Sequence, residues 1–216
     1  MKRIFGSNRG ATLTEQLASI LLGMVMITGL YGFFRGQLFQ LVSQENKTAT
    51  LEDARGALDI IVRDLRNAGS WGTGSVPLET GGDDDPDADA DEVCNRVYAA
   101  TKSRVHVQMD FNGNGNCTDT DPRENIVYEL TGPTSTCPGT HIIRRNGDCL
   151  VANVRTVPSG KLFGFFDSEG TDLGETPARA AIKRIRIAFA VETRNPDPQV
   201  GGKLSSILST SVDLRN

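Results

Sequence analysis

The alternation of apolar and polar positions changes period twice along this chain. Residues 16–34 carry no formal charge, and Arg35 closes the run. As a helix the run covers roughly 28 Å, close to the hydrocarbon thickness of a bilayer. Apolar residues then recur at helical spacing: Leu38, Leu41 and Val42, and later Ala54, Leu58, Ile61, Val62, Leu65 and Ala68. Glu52, Asp53, Arg55, Asp59, Arg63, Asp64 and Arg66 fill the gaps, the pattern of a half-buried helix. One helix is predicted from Ala11 to Ala68, about 87 Å long, with Gly69 as its stop and Arg66 as the cation of its last turn. Gly29, Gly32 and Gly36 weaken its middle by about 1 kcal/mol each relative to Ala. They read either as a bend or local melting point, or, through Gly32-x-x-x-Gly36, as a helix-packing seam in a membrane.

Farther on the period is two. Val105, Val107 and Met109 alternate with Arg104, His106 and Gln108, and Ile185, Ile187, Phe189 and Val191 with Arg184, Arg186 and Ala188. Residues 125–130, 141–145, 149–154 and 161–166 are also strand-like, Asn146-Gly147 is a hairpin signal, and Leu208, Thr210, Val212 and Leu214 close the pattern. One long helix over short antiparallel strands is an α+β architecture. Residues 72–92 have no apolar period, and seven acids fall between Asp83 and Glu92, which reads as a solvated, self-repelling loop.

Charge and composition then narrow the function. The net charge of −4 lacks the basic surface of a nucleic-acid binder. No G-x-S-x-G, Walker loop or H-E-x-x-H is present, and the two His, His106 and His141, stand in separate strands, so no enzyme is predicted.

The first ten residues, MKRIFGSNRG, hold Lys2, Arg3 and Arg9 and no acid. In a secretory signal the apolar core precedes the cleavage site. Here the small-residue junction Gly10-Ala11 precedes the core, so cleavage there would remove three positive charges, retain the span and take the net charge from −4 to −7. Glu15 sits where the apolar run begins. At the edge of a spanning helix a carboxylate is expensive unless it pairs. It can stabilise the helix dipole from the first turn, or it can pair with the new α-amine of Ala11 on a neighbouring copy.

These residues resemble a known family. RGATLTEQLASILLG, residues 9–23, is similar to the class III leader junction of type IV prepilins and pseudopilins. ALDIIVRDLRNAGSWG, residues 57–72, and the terminal SVDLRN are similar to PilW-like minor pilins. Ala11 stands where the family commonly has Phe or Met. The resemblance implies a pilin-like fold, cut by a prepilin peptidase after Gly10, N-methylation of Ala11 and Glu15 as the assembly glutamate. It implies storage in membrane lipid as a single-pass inner-membrane protein with its head in the periplasm. From there an inner-membrane assembly platform would move it into an extracellular pilus. Its partners would be the major pilin and other minor pilins, and its role the initiation of assembly in a tip complex. A J-like minor pseudopilin of a type II secretion system and a pilus-displayed adhesin fit the same residues. The organisation expected is a leader over 1–10, a transmembrane or filament-core helix over 11–36, an amphipathic helix over 37–69, a Gly/Asp-rich loop over 70–95 and a β-sheet head with two disulfides over 96–216.

Four Cys, none in a C-x-x-C pair, follow an export-type N-terminus and read as two disulfides of an oxidising compartment. If the strands run up and down in turn, Cys94 and Cys137 share one end and Cys117 and Cys149 the other. That favours Cys94–Cys137 with Cys117–Cys149; Cys94–Cys117 with Cys137–Cys149 is the rival. Each bridge would add about 2–4 kcal/mol.

DFNGNGNCTDTD, residues 110–121, follows the D-x-[DN]-x-[DN]-G pattern of a calcium loop. Asp110, Asn112 and Asn114 would offer side-chain oxygens, Asn116 a carbonyl and Asp121 a closing carboxylate. The same residues suit an Asn/Gly-rich turn, because Asn and Gly tolerate positive φ. No cofactor is required by either reading.

Overall fold

The computed structural model describes residues 12–70, 95–114, 121–157, 160–194 and 202–214. Among these residues one long helix, α1 (Leu13–Asn67), packs on antiparallel β-structure. At 55 residues α1 is about 82 Å long. It runs unbroken through Gly29, Gly32 and Gly36, without the local melting that one of the two readings of these glycines proposed. Three scattered glycines cost about 3 kcal/mol in total, and the cooperative ladder on both sides carries the helix across them.

The helix ends where its backbone groups find partners in the head. The Ala68 N–H returns to the Asp64 carbonyl, the Gly69 N–H donates to Gln108 O, and the Ser70 carbonyl accepts from Asp110 N–H. Gly69 adopts φ +77°, and a Cβ there would stand 2.9 Å from the Arg96 stem, so both backbone and packing call for glycine.

The β-structure forms two sheets rather than the one expected. The first is a meander of β1 (Val97–Thr101), β2 (Arg104–Gln108), β3 (Asn125–Thr131), β4 (Ile142–Arg145) and β5 (Asp148–Val151), in that spatial order. The second is built on β8 (Arg184–Arg194). β9 (Lys203–Asp213) pairs with its whole length, while β6 (Val154–Thr156) and β7 (Phe163–Phe166) share the opposite edge in tandem. The break falls inside the stretch 149–154 that the sequence presents as one strand. Asn153 takes φ +55° there and turns the chain from one sheet into the other. Asn146 (φ +49°) and Gly147 (φ +88°) make the two-residue turn between β4 and β5.

The core lies between these sheets and the second half of α1. Ile185, Ile187, Phe189 and Val191 of β8 face inward, as their alternation predicts. Phe163 and Phe165, Val105 and Val107, and Ile126 join them from the neighbouring strands. The helix contributes Ala54, Ala57, Ile61, Leu65 and Ala68, one stripe at three- and four-residue spacing. Burying an Ile or Leu side chain contributes about 1.5–3 kcal/mol, so Ile61 and Leu65, each fully buried, are the main anchors of the helix.

The favoured cysteine pairing is wrong. Cys137 is bonded to Cys149, with Cα atoms 5.9 Å apart. The meander itself is present, but the β3–β4 connection does not stay at the strand ends. It returns against β5: Cys137 is buried outside the main core and bonded to Cys149, and Gly139 lies so close to the β5–β6 junction that a Cβ would meet Asn153 N at 2.8 Å. This return brings Cys137 onto β5. Cys94 and Cys117, the remaining pair, lie outside the described residues.

Candidate functional site: the long helix and its two ends

At the N-terminal end Thr12 and Glu15 cap the helix reciprocally. The Thr12 N–H donates to Glu15 Oε2 at 2.9 Å, and the Glu15 N–H donates to Thr12 Oγ1 at 3.4 Å. The signal was present as Thr12-x-x-Glu15, a capping box ahead of an apolar run. Glu15 is thus satisfied locally through Oε2, and a carboxylate has lone pairs for further donors. Gly10 and Ala11, the expected processing pair, lie outside the described residues.

The helix that follows is exposed on every side. Leu17, Ile20, Leu21, Leu22, Val25 and Ile27 are all more than half exposed, and so are Phe33 and Phe34. α1 is long and apolar enough to cross a bilayer, and the protein buries none of its most apolar stretch. Polar side chains within this half turn back on their own backbone: Ser19 Oγ donates to Glu15 O and Thr28 Oγ1 to Met24 O, each at 2.8 Å. Such back-bonding lets a hydroxyl sit in an apolar medium.

The other half carries a polar anchor that the helical pattern alone did not reveal. Asp64, nearly buried, accepts the Tyr128 hydroxyl at 2.6 Å and Arg145 Nε at 2.9 Å, both on Oδ2. Arg145 Nε also reaches the Tyr128 oxygen at 3.2 Å. Burial first, then Asp64, push the Tyr128 hydroxyl far above the ordinary phenol value, so it stays a donor. Burial opposes the Arg145 charge, but Asp64 outweighs it and the guanidinium is held more firmly than usual. From sequence, Asp64 belongs to a solvated face; only the β3–β4 register, which sets Tyr128 opposite Arg145, shows why it is inside.

Beyond the helix end lies the expected calcium loop. Asp110 is buried, and its Oδ1 accepts the Gly113 and Asn114 amides at 2.6 and 3.1 Å. The exposed Asn112 side chain accepts the Asn114 amide at 2.8 Å. Asp121 is bound by Arg123 through Nε at 3.0 Å and Nη2 at 2.6 Å. Those bonds and the Arg123 amide bring its carboxyl down to about 2. Asn116 lies outside the described residues. Glu124 was not foreseen: fully buried, it accepts the Phe111 and Asn112 amides at 2.9 and 2.7 Å on Oε1 and holds the loop's first residues. Among the described residues no group of three or more His, Cys, Asp or Glu is placed to hold a metal. Within them the loop is a series of side-chain-capped turns whose carboxylates already serve amides and Arg123.

The two histidines stand apart. His106 is buried, bonded to Asn125 and 4.7 Å from the Tyr98 ring; burial lowers its pKa. His141 is exposed just ahead of β4 rather than within a strand. Comparison of the chain with protein-family models, curated proteins and solved structures finds no match.

Proposed function

We propose that this chain is a minor pilin of a type IV pilus, held in the inner membrane and moved into the filament to promote the start of assembly. The observation that carries the reading is the division of α1. One half is docked on a folded head; the other is apolar on all sides and opens with a single carboxylate, Glu15. Such a half needs an apolar medium from outside, first lipid and then a bundle of like helices. Leaving lipid for that bundle costs little hydrophobic energy, because one apolar medium replaces another. The electrostatic term then decides: in a dry bundle Glu15 gains from a positive partner far more than in water. A leader cut after Gly10 would create that partner on the Ala11 amine of an adjoining subunit. The order of basic leader, small-residue junction and retained span supports the same assignment, with a prepilin peptidase as the processing enzyme. The major pilin and other minor pilins would be the neighbours.

The proposal requires no cofactor. Calcium held by Asp110, Asn112, Asn114, Asn116 and Asp121 would stiffen the loop beyond α1 without entering the assembly step.

The test is Glu15→Val in the producing cells. The expected result is loss of this subunit from sheared filaments by more than tenfold, with its membrane level unchanged. Filaments that still contain the Val variant at normal levels overturn the proposal.

A further inference from the structure

On one flank of the head, α1 and β5 leave a groove of about 580 Å³. Gly56, Ala57 and Ile60 line the helix side and residues 149–153 the strand side. The groove has three features that bear on its occupant. β5 is the last strand of its sheet, so β4 takes one edge and no strand among the described residues takes the other. A bare strand edge is a row of backbone donors and acceptors that fits another extended chain. At Gly56 the groove is open: a Cβ there would meet nothing within 4 Å, so this point of its wall has space for a docked chain. Glu52 and Asp53 line the same groove, both exposed, and no ion pair among the described residues engages either.

The edge is also held in advance. Cys149 lies in β5, and its bond to Cys137 ties the strand to the folded β3–β4 connection. A strand already fixed loses little freedom when a partner docks, which favours binding.

We infer that this groove receives an extended segment of a partner protein, added as a strand to β5, with a basic side chain set against Glu52 and Asp53. Backbone pairing would supply affinity, and the carboxylates the choice of partner. A helix would leave the strand edge unpaired, and an acidic segment would meet two like charges. The inference concerns the head and stands whether or not the chain enters a filament.

The test uses the full chain in an uncharged detergent. The probe is a fluorescein-labelled octapeptide alternating lysine and valine, followed by anisotropy. A second peptide of the same sequence carries N-methyl groups on alternate backbone amides, which removes the donors that strand pairing needs. Saturable binding is expected. It should weaken at least tenfold with the methylated peptide and at least tenfold in the Glu52→Lys/Asp53→Lys double variant. Both positions are exposed, and an unchanged circular dichroism spectrum verifies folding. A Gly56→Gln variant, which fills the groove without changing charge, should weaken binding in the same way. Absence of saturable binding, or equal binding of the methylated peptide, or equal binding by the charge-reversed chain, overturns the inference.

Discussion

The two halves of α1 are one helix with opposite relations to their surroundings. Around Ile20 the apolar residues point in all directions and the protein covers none of them. Around Ile61 they form a stripe, Ala54, Ala57, Ile61, Leu65 and Ala68, that the protein buries, with Leu58, Ile60 and Val62 half-buried at its margins. The polar residues differ as well. In the first half, hydroxyls close on their own backbone; in the second, Asp64 reaches out of the helix to Tyr128 and Arg145 on two strands. The lesson is that helix propensity, shared by both halves, decides neither fate. What decides is whether the apolar surface has a stripe or surrounds the axis.

Matched substitutions break this comparison most sharply. Ile61→Ala should lower the stability of the head by about 3–4 kcal/mol through lost burial and a cavity. Ile20→Ala should leave it unchanged within about 0.5 kcal/mol. Urea unfolding of the full chain in detergent, followed by the near-ultraviolet signal of the head, measures both. Equal effects would mean that the halves are not independent.

The polar anchor gives the next effect. Asp64→Ala removes the shared acceptor of Tyr128 and Arg145 and should cost about 2 kcal/mol, less than a fully enclosed ion pair because Arg145 is partly exposed. Tyr128→Phe should cost about 1 kcal/mol. The double variant should show coupling, since both remove the same bond.

The smallest effect is a pH dependence. Burial depresses His106, with Arg104 acting in the same direction and Asn125 against it. The unfolded chain therefore takes up the proton first. Stability from this site is fully present above about pH 6.5 and declines as pH falls from there through the lower folded-state value. Its signature is a fall in the urea midpoint between neutral and mildly acidic pH that is reduced in His106→Gln.

Much of the fold was legible because period reports burial. Ile185, Ile187, Phe189 and Val191 announced a strand, and Leu58, Ile61 and Leu65 a helical stripe. β1 was missed because Val97-Tyr98-Ala99-Ala100-Thr101 has no alternation; it sits at the sheet edge with mostly half-buried side chains. The two-sheet division was missed because residues 149–154 keep an apolar pattern through Asn153, and only its left-handed backbone separates them. The disulfide was assigned to strand ends because sequence does not say that a loop will return against β5. Asp64 and Glu124 were hidden for a shared reason: a buried carboxylate looks like a solvated one until its donors, far away in the chain, are brought to it. At the candidate site, Glu15 was legible as the start of a helix, while its capping partner Thr12 went unnoticed.

An unbroken α1 also makes the molecule a shaft with a fixed angular phase. The direction in which the head faces is set by how many residues separate it from Glu15. One residue inserted between Gly36 and Leu51 would swing the head by about 100° and lift it by about 1.5 Å. Seven would return it nearly to its original azimuth, about 10 Å higher. The length of the middle segment is therefore a geometric address for the head as much as a connection to it.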